Sequence, residues 1–589
     1  MVRKNPNIDA FISWLPYLLI FACSFVYFGF FCNYIFFPQE KSSLFIFSSD
    51  FLNENLHQPG GLLIWLGKFF STFYYFPVIG AIILSSVLTL SAILISKIIL
   101  ILEGQKSLFI PGLVIVTLFF LQTDFHFLLF CNLGLLLQLS IFCLVLKYLT
   151  FLKGWIPVII VPIWFYFTGS FTFIYLLLIT LYFAFDKKNK GWTRIFALWC
   201  ISALTFYISK ELVFPLSGKT LLTFPFPEHI EFLQEILFIS AAAIISLLPL
   251  ISKIRPGIFK SASEFSVNLY SSVILLIFMA IIGLNRFDIK TRRYLHVEEL
   301  FYQDRFDEII TYNTLHPTSN MLTIYLTNIA LCETDKLDDL LFHFQQSHDG
   351  RTLFLKWEMA GEVLNRGGYF YYTTGMINEA HRWAFENMVM KGMTPEGLKM
   401  LIKTDLIYGN FKTAASYINI LKRSLFYRKE ALKYEKLLIN KDSLAANKEL
   451  VQKQQTKVKS DFFTITENPY INIERILASD SLNRKAFEYK MAFMLLTKNY
   501  REIEHELPHF EDLGFTRLPV HIEEAALALS LSNNGKLPDT GKLHISMDTK
   551  VRWNQFLTVL RQYRNNVKSA EPELRKRFGD TFWYWVFYR

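Results

Sequence analysis

The reading of this chain turns on Tyr74–Leu100, YYFPVIGAIILSSVLTLSAILISKIIL. Its single charge is Lys97. A helix apolar on every face belongs in a core or a bilayer, and ~20 residues at ~1.5 Å each cross the hydrocarbon layer. The stretch is long enough for that. Working outward, similar stretches place spans at 11–37, 74–100, 108–122, 126–150, 155–167, 170–186, 193–210, 231–251 and 267–284, nine in all. The first is too long for a signal-peptide core and lacks a small-residue cleavage site, so it reads as a retained span. Segments 108–122 and 155–167 are short, and each meets its neighbour through a tight turn, Thr123-Asp124-Phe125 or Thr168-Gly169. They read as helical hairpins, either in thin membrane or buried against protein.

The connections between spans carry an uneven charge. Arg3, Lys4, Lys97, Lys106, Lys147, Lys153, Lys187, Lys188, Lys190, Arg194, Lys253, Arg255 and Lys260 fall on one side, against Lys41, Lys68, Lys210 and Lys219 on the other. Basic connections stay cytoplasmic. The bias therefore predicts a cytoplasmic N-terminus and, after an odd number of crossings, an outer location for everything beyond Leu284. The outer loop 38–73 contains Glu40, Asp50, Glu54 and His57, then the turn signal Gln58-Pro59-Gly60-Gly61 and an apolar stretch suited to a surface helix. A second outer loop, Lys210 to about Glu231, carries Pro215, Pro225 and Pro227.

From Asn285 onward charges of both signs are dense, as on a soluble surface. Apolar residues recur at helical spacing and no strand pattern is evident, so the fold class is all-α throughout: a polytopic helical membrane domain followed by a soluble α-solenoid. Gly375-Met376-Ile377-Asn378-Glu379-Ala380 recurs as Gly409-Asn410-Phe411-Lys412-Thr413-Ala414, 34 residues later, which is the tetratricopeptide period. Weaker copies begin at Asp304, Asp335 and Lys498. The domains expected are 1–285 (membrane), 286–440 (tetratricopeptide-like repeats), 441–460 (a polar linker or solvated helix) and 461–589 (C-terminal helical domain). The aromatic C-terminus, Phe582–Tyr588, either docks in the outer domain or meets the headgroup layer.

Some functions are disfavoured. No basic stripe with interleaved aromatics is present, so nucleic acid is not an expected partner. Cys332 is the only cysteine of the second half, so that half has no internal disulfide, and no CxxC pair suggests zinc. No residue is assigned to a metal site, and the cofactor stays open. Gly-rich phosphate loops, HExxH and GxSxG are read as absent, against nucleotide hydrolysis and the commoner hydrolases. Three clusters could carry chemistry. Asp50 and Glu54, four apart, would share a helix face, where one could serve as general base or metal ligand; they could equally keep a loop soluble. Asp124 and His126 lie in a turn on the same side, where polar residues also serve helix ends. Lys210, Lys219, Arg286, Lys290, Arg292 and Arg293 could bind a lipid phosphate or serve as ordinary surface charge.

One span, a long acidic outer loop with surface helices, short hairpin spans and an outer C-terminal domain together resemble the GT-C membrane glycosyltransferases over about residues 1–285. That resemblance implies a polyprenyl-phosphate-linked sugar donor and a catalytic carboxylate among Asp50 and Glu54, with Glu40 behind them. Asp124 and His126 would complete the catalytic site, and Lys210, Lys219, Arg286, Arg292 and Arg293 would hold the donor phosphate. The adjacent acidic pair common in that loop is missing here. Gln58-Pro59-Gly60-Gly61-Leu62, Tyr74-Tyr75-Phe76-Pro77 and Ala486-Phe487-Glu488-Tyr489-Lys490-Met491-Ala492 are similar to a group of multi-pass inner-membrane proteins of the Bacteroidota. This implies a bacterial inner membrane and a periplasmic second half, and no activity. Two functional readings stay open: a glycosyltransferase-like enzyme whose repeat domain binds the acceptor, or a non-catalytic periplasmic scaffold that docks envelope proteins. Membrane lipid is a partner in both.

Overall fold

Leu84, Leu88, Ala92, Ile95 and Ile99 share one face of the Pro77–Glu103 helix and are fully buried. Ile79, Ile82, Leu90 and Ile101 on other faces are exposed, although just as apolar. A helix apolar inside and out fits a lipid surround. The computed structural model describes the chain apart from residues 1–5, 104–107, 149–153, 186–190, 215, 227–230, 255–263, 358–362, 460, 461, 463, 466, 533, 534, 564 and 565. Arg3, Lys4, Lys106, Lys153, Lys187, Lys188, Lys190, Arg255 and Lys260 of the basic connections lie outside the described residues, as do Pro215 and Pro227. All regular structure among the described residues is helical. They form two units, Met1–Asp288 with Arg423–Phe426, and Ile289–Lys422 with Tyr427–Arg589.

In the first unit five helical segments are long and apolar enough to cross a membrane: Trp14–Phe31, Pro77–Glu103, Leu129–Tyr148, Val161–Phe185 and Trp192–Val213. A sixth arises if Tyr270–Arg286 is counted together with Ile289–Tyr302 as one broken span. The expectation of nine is therefore corrected to five or six. Phe109–Gln122 has 14 residues and Phe232–Ser246 has 15, so at ~1.5 Å per residue both fall short of the ~30 Å hydrocarbon layer. Phe109–Gln122 packs on Pro77–Glu103, Phe232–Ser246 and Glu264–Arg286. Its Leu118, Phe119 and Leu121 are buried in protein. The two spans expected at 155–167 and 170–186 merge into one apolar stretch through a 3-10 turn at Gly169–Phe171. Five crossings and six leave the second unit on opposite sides, so sidedness does not follow from the count.

The turn at Gln58–Gly61 is fixed by close contacts. Gly60, at φ 74°, donates its N–H to the Tyr166 carbonyl at 3.1 Å, and the Tyr166 hydroxyl donates to the Leu56 carbonyl at 3.0 Å. A Cβ on Gly169 would lie 2.7 Å from the Phe224 carbonyl oxygen. These backbone approaches require glycine. The Gly61–Thr72 helix that follows packs on Leu129–Tyr148 and Val161–Thr168.

In the second unit the helices Gly368–Thr374, Ile377–Lys391, Pro395–Tyr408, Phe411–Lys422 and Arg428–Ile439 each pack on the next. The residues at which the sequence repeats begin share a local backbone corner, and a regular solenoid of equal repeats does not follow from it. Asp304, Asp335 and Lys498 are the only non-glycine residues at positive φ among the described residues, and Gly375 and Gly409 share that conformation. At each, the next N–H bonds the carbonyl five residues back: Arg305 to Leu300, Lys336 to Leu331, Met376 to Tyr371, Asn410 to Asp405 and Asn499 to Met494, at 2.8–3.1 Å. This is the left-handed helix stop in which two otherwise orphaned carbonyls are satisfied. Ile309, Ala380, Ala414 and Ile503, five positions further on, are fully buried against the preceding helix. What recurs is the corner, and the helices leaving it are 10, 4, 15, 12 and 7 residues long.

The polar stretch after Asn440 folds as two short helices, Lys441–Ala445 and Lys448–Thr456. The C-terminal segment docks within its own unit. Phe582 and Trp583 are fully buried, Phe582 donates its N–H to Glu524 at 2.7 Å, and the Trp583 indole donates to the Glu524 carbonyl at 2.8 Å.

A Cβ at Gly409 would meet nothing within 4 Å, so only its left-handed backbone opposes substitution. Gly409→Ala is expected to cost ~1–2 kcal/mol. Gly409→Asn should recover most of that, because Asn tolerates this conformation. Thermal unfolding of the two variants checks it.

Candidate functional site

Seven helices of the second unit, Ile289–Tyr302, Phe306–Leu315, Met321–Glu333, Gly368–Thr374, Pro395–Tyr408, Arg428–Ile439 and Lys448–Thr456, contribute to the walls of a cavity of about 650 Å³. Its lining is rich in tyrosine, lysine and carboxylate. One wall rests on a buried ion pair. Arg366 meets both oxygens of Glu298 at 2.8 Å, and the Tyr302 hydroxyl donates to Glu298 at 2.8 Å. Bidentate geometry gives this pair its strength away from water.

Three lysines line the cavity in pairs with carboxylates. Lys403 Nζ donates to Glu449 Oε1 at 2.8 Å, and the Tyr372 hydroxyl donates to the same oxygen at 2.7 Å. Lys453, only 3% exposed, reaches Glu333 at 2.7 Å, and Thr373 Oγ1 donates to that oxygen at 2.7 Å. Lys399 lies between Glu396 at 3.1 Å and Glu430 at 2.6 Å. The Lys403 and Lys453 ammonium groups sit 5.8 and 5.2 Å from the centre of the Tyr372 ring. Burial alone would depress the Lys403 ammonium, but Tyr372 and Glu449 beside it hold its pKa well above the usual lysine value. Burial pushes the Glu449 carboxyl up, and Lys403 outweighs that, so its pKa falls. Both groups stay charged at neutral pH.

Three lining groups make no hydrogen bond to other described residues: the Tyr369 and Tyr434 hydroxyls, which lie near the charges of Lys403 and Glu396, and the exposed Lys433 ammonium. The cavity thus offers aromatic walls, fixed charges of both signs and free donors. Such a lining suits a polar or amphipathic ligand, and the volume lies within the ~300–1,000 Å³ of ligand sites. The sequence reading did not find this site. The only signal was residue type, since Asp304 opens one repeat corner and Lys453 lies in the polar stretch.

The expected site residues are distributed as follows. Asp50 and Glu54 lie on the short helix Ser49–Leu56, and both are exposed. Glu40 is buried, 3.8 Å from Lys41. Lys210 pairs with Glu211 at 2.9 Å, and Lys219 is exposed. Arg292 is exposed and Arg293 half-buried on Ile289–Tyr302 in the second unit. Asp124, His126 and Arg286 do come together. Asp124 Oδ1 accepts from the His126 backbone N–H at 2.9 Å and faces His126 Nδ1 at 3.0 Å. Asp124 Oδ2 accepts from Gln234 Nε2 at 2.7 Å and lies 3.9 Å from Arg286. Arg286 also donates to Thr123 Oγ1 at 3.3 Å. Burial pushes the Asp124 carboxyl up, but the hydrogen bonds from His126 and Gln234 outweigh it and hold the pKa at about 2. The cluster ties the hairpin turn to two distant helices.

A second group was missed outright, and it corrects the expectation that HExxH is absent and that no residue belongs to a metal site. His505-Glu506-Leu507-Pro508-His509 has the form HExxH, and donor atoms of His505, Glu506 and His509 all lie within 4.8 Å of one another.

The architecture defines a helical membrane protein that carries a second, charge-rich helical unit. The chain belongs to the family described as Family of unknown function (DUF6057), whose model matches residues 10–589 and so spans both units. No curated protein and no solved structure matches it.

The depressed Asp124 pKa has a stability consequence. Its contribution is fully present above the unfolded value near 3.8 and is lost as pH falls through about 2. Asp124→Asn should cost ~2 kcal/mol at neutral pH, with the difference from wild type vanishing toward pH 2. Thermal unfolding across that range in detergent checks it.

Proposed function

We propose that this protein is a membrane-anchored docking module. The apolar helices hold the chain in the membrane, and the cavity of the second unit receives a segment of a partner protein. The observation that carries this reading is the cavity itself: paired lysines and carboxylates fix its walls, and Tyr369, Tyr434 and Lys433 are left with unused donors. A protein that keeps buried charges paired around an open space, with free hydroxyls on the lining, is arranged to satisfy a polar guest. The family match across both units supports anchor and cavity as one inherited device. The finer picture is a tetratricopeptide-like packing of helix pairs, a bacterial inner membrane and a periplasmic second unit, with envelope proteins as partners. It rests on the recurring corners and on the basic bias of the connections.

The alternative is transfer of a sugar from a polyprenyl phosphate at the membrane face. The convergence of Asp124, His126 and Arg286 favours it. Two points weigh on the other side. A carboxylate held at about 2 is a weak base at neutral pH. Asp50 and Glu54 are exposed on their short helix.

Complementation of a deletion strain distinguishes the two. Tyr369→Ala with Tyr434→Ala should reproduce the deletion phenotype at wild-type protein level. Asp50→Asn, Glu54→Gln and Asp124→Asn should restore growth and leave surface glycans unchanged. The reverse pattern, with altered glycans in the carboxylate variants and none in the tyrosine pair, would refute docking.

A further inference from the structure

We propose that His505, Glu506 and His509 form a binding site for a first-row divalent cation, with zinc the best fit. None of the three lines the cavity, so the site is independent of the docking function. Two imidazoles and a carboxylate suit zinc among the available ions. Ligand bonds of ~2.0–2.2 Å at tetrahedral angles place neighbouring donors ~3.3–3.5 Å apart. His505 Nδ1 lies 3.4 Å from Glu506 Oε1, and His509 Nδ1 lies 3.0 Å from Glu506 Oε2. The two distances run to different oxygens of Glu506, so with one oxygen as ligand one edge is already close to length and every pair of donors lies within 4.8 Å.

The backbone holds this arrangement. The Tyr500–Glu506 helix stops after Glu506, and Leu507-Pro508 turn the chain before His509 opens the next short helix. Ile503, Leu507 and Phe510 are fully buried and anchor the corner on both sides. Lys490 donates to Glu506 Oε1 at 2.8 Å and so orients the carboxylate, leaving Oε2, the oxygen that faces His509, to the ion. The side chains of His505 and His509 are 71% and 47% exposed, so an ion enters from solvent and water completes its shell. Each neutral imidazole changes from hydrogen-bond donor to ligand by carrying its proton on Nε2 instead of Nδ1.

The geometry differs from that of the zinc peptidases that share the HExxH string. There both histidines lie on one continuous helix and the glutamate serves as base. Here Pro508 breaks the helix and Glu506 sits between the two rings, so it is a ligand. The site binds a cation at a corner and carries no hydrolytic reaction.

Zn²⁺ titrated into the purified full-length protein in detergent, against a chromophoric chelator, tests this. Wild type should bind one equivalent more than His505→Ala or His509→Ala. Co²⁺ in its place should give the intense visible absorption of a tetrahedral site, absent from both variants. Equal stoichiometry in all three proteins would overturn the proposal. Should a variant lose its helical circular dichroism, histidine footprinting of wild type decides. Zn²⁺ should protect His505 and His509 from diethyl pyrocarbonate, and equal modification with and without Zn²⁺ would equally overturn it.

Discussion

A charge removed from water costs several kcal/mol unless an opposite charge shares its site, and the second unit is organised by that constraint. Its buried and half-buried cations are matched across long stretches of chain: Arg366 with Glu298, Lys453 with Glu333, Lys403 with Glu449 and Lys485 with Asp335. Each match fixes two helices against one another. Glu333 and Asp335 end one helix and bind lysines 120 and 150 residues away. The cavity lies among the first three of these pairs, so its shape is set by electrostatic matching as well as by apolar packing.

The membrane half follows a different constraint. With apolar residues on all faces, patterning cannot say which helices face lipid and which face protein. Pro77–Glu103 is half buried within the protein, whereas only 17% of the Trp192–Val213 window is. Both sequences are apolar enough to span, with mean hydropathy 2.6 and 1.4. Existence and type of the apolar helices were legible for this reason, and the number of crossings was not. Phe109–Gln122 reads as a span by composition, yet it is a short helix buried among its neighbours.

The same split holds for the site. The repeat corners were visible because a left-handed helix stop needs particular chemistry, Gly at Gly375 and Gly409, followed two residues later by the apolar Ile377 and Phe411. The cavity was not visible, because its residues come from helices spread between 301 and 453 and no two of its ion pairs share a sequence spacing. Asp50 and Glu54 drew notice as acids in an apolar half, where any charge stands out. In the second half charge is common, and only pairing in space separates Glu333 or Lys453 from surface residues. His505-Glu506-Leu507-Pro508-His509 shows the opposite case: the string was present, and its meaning depends on the turn at Pro508.

The claim that paired burial of charge builds the cavity is tested most directly by a double-mutant cycle on Lys453 and Glu333, read by thermal unfolding of the full-length protein. Lys453→Met and Glu333→Gln should each cost ~3 kcal/mol or more, since either leaves a buried charge unmatched. The double variant should recover much of the loss, giving a coupling of ~2 kcal/mol. Losses that simply add, within ~0.5 kcal/mol, would contradict the account.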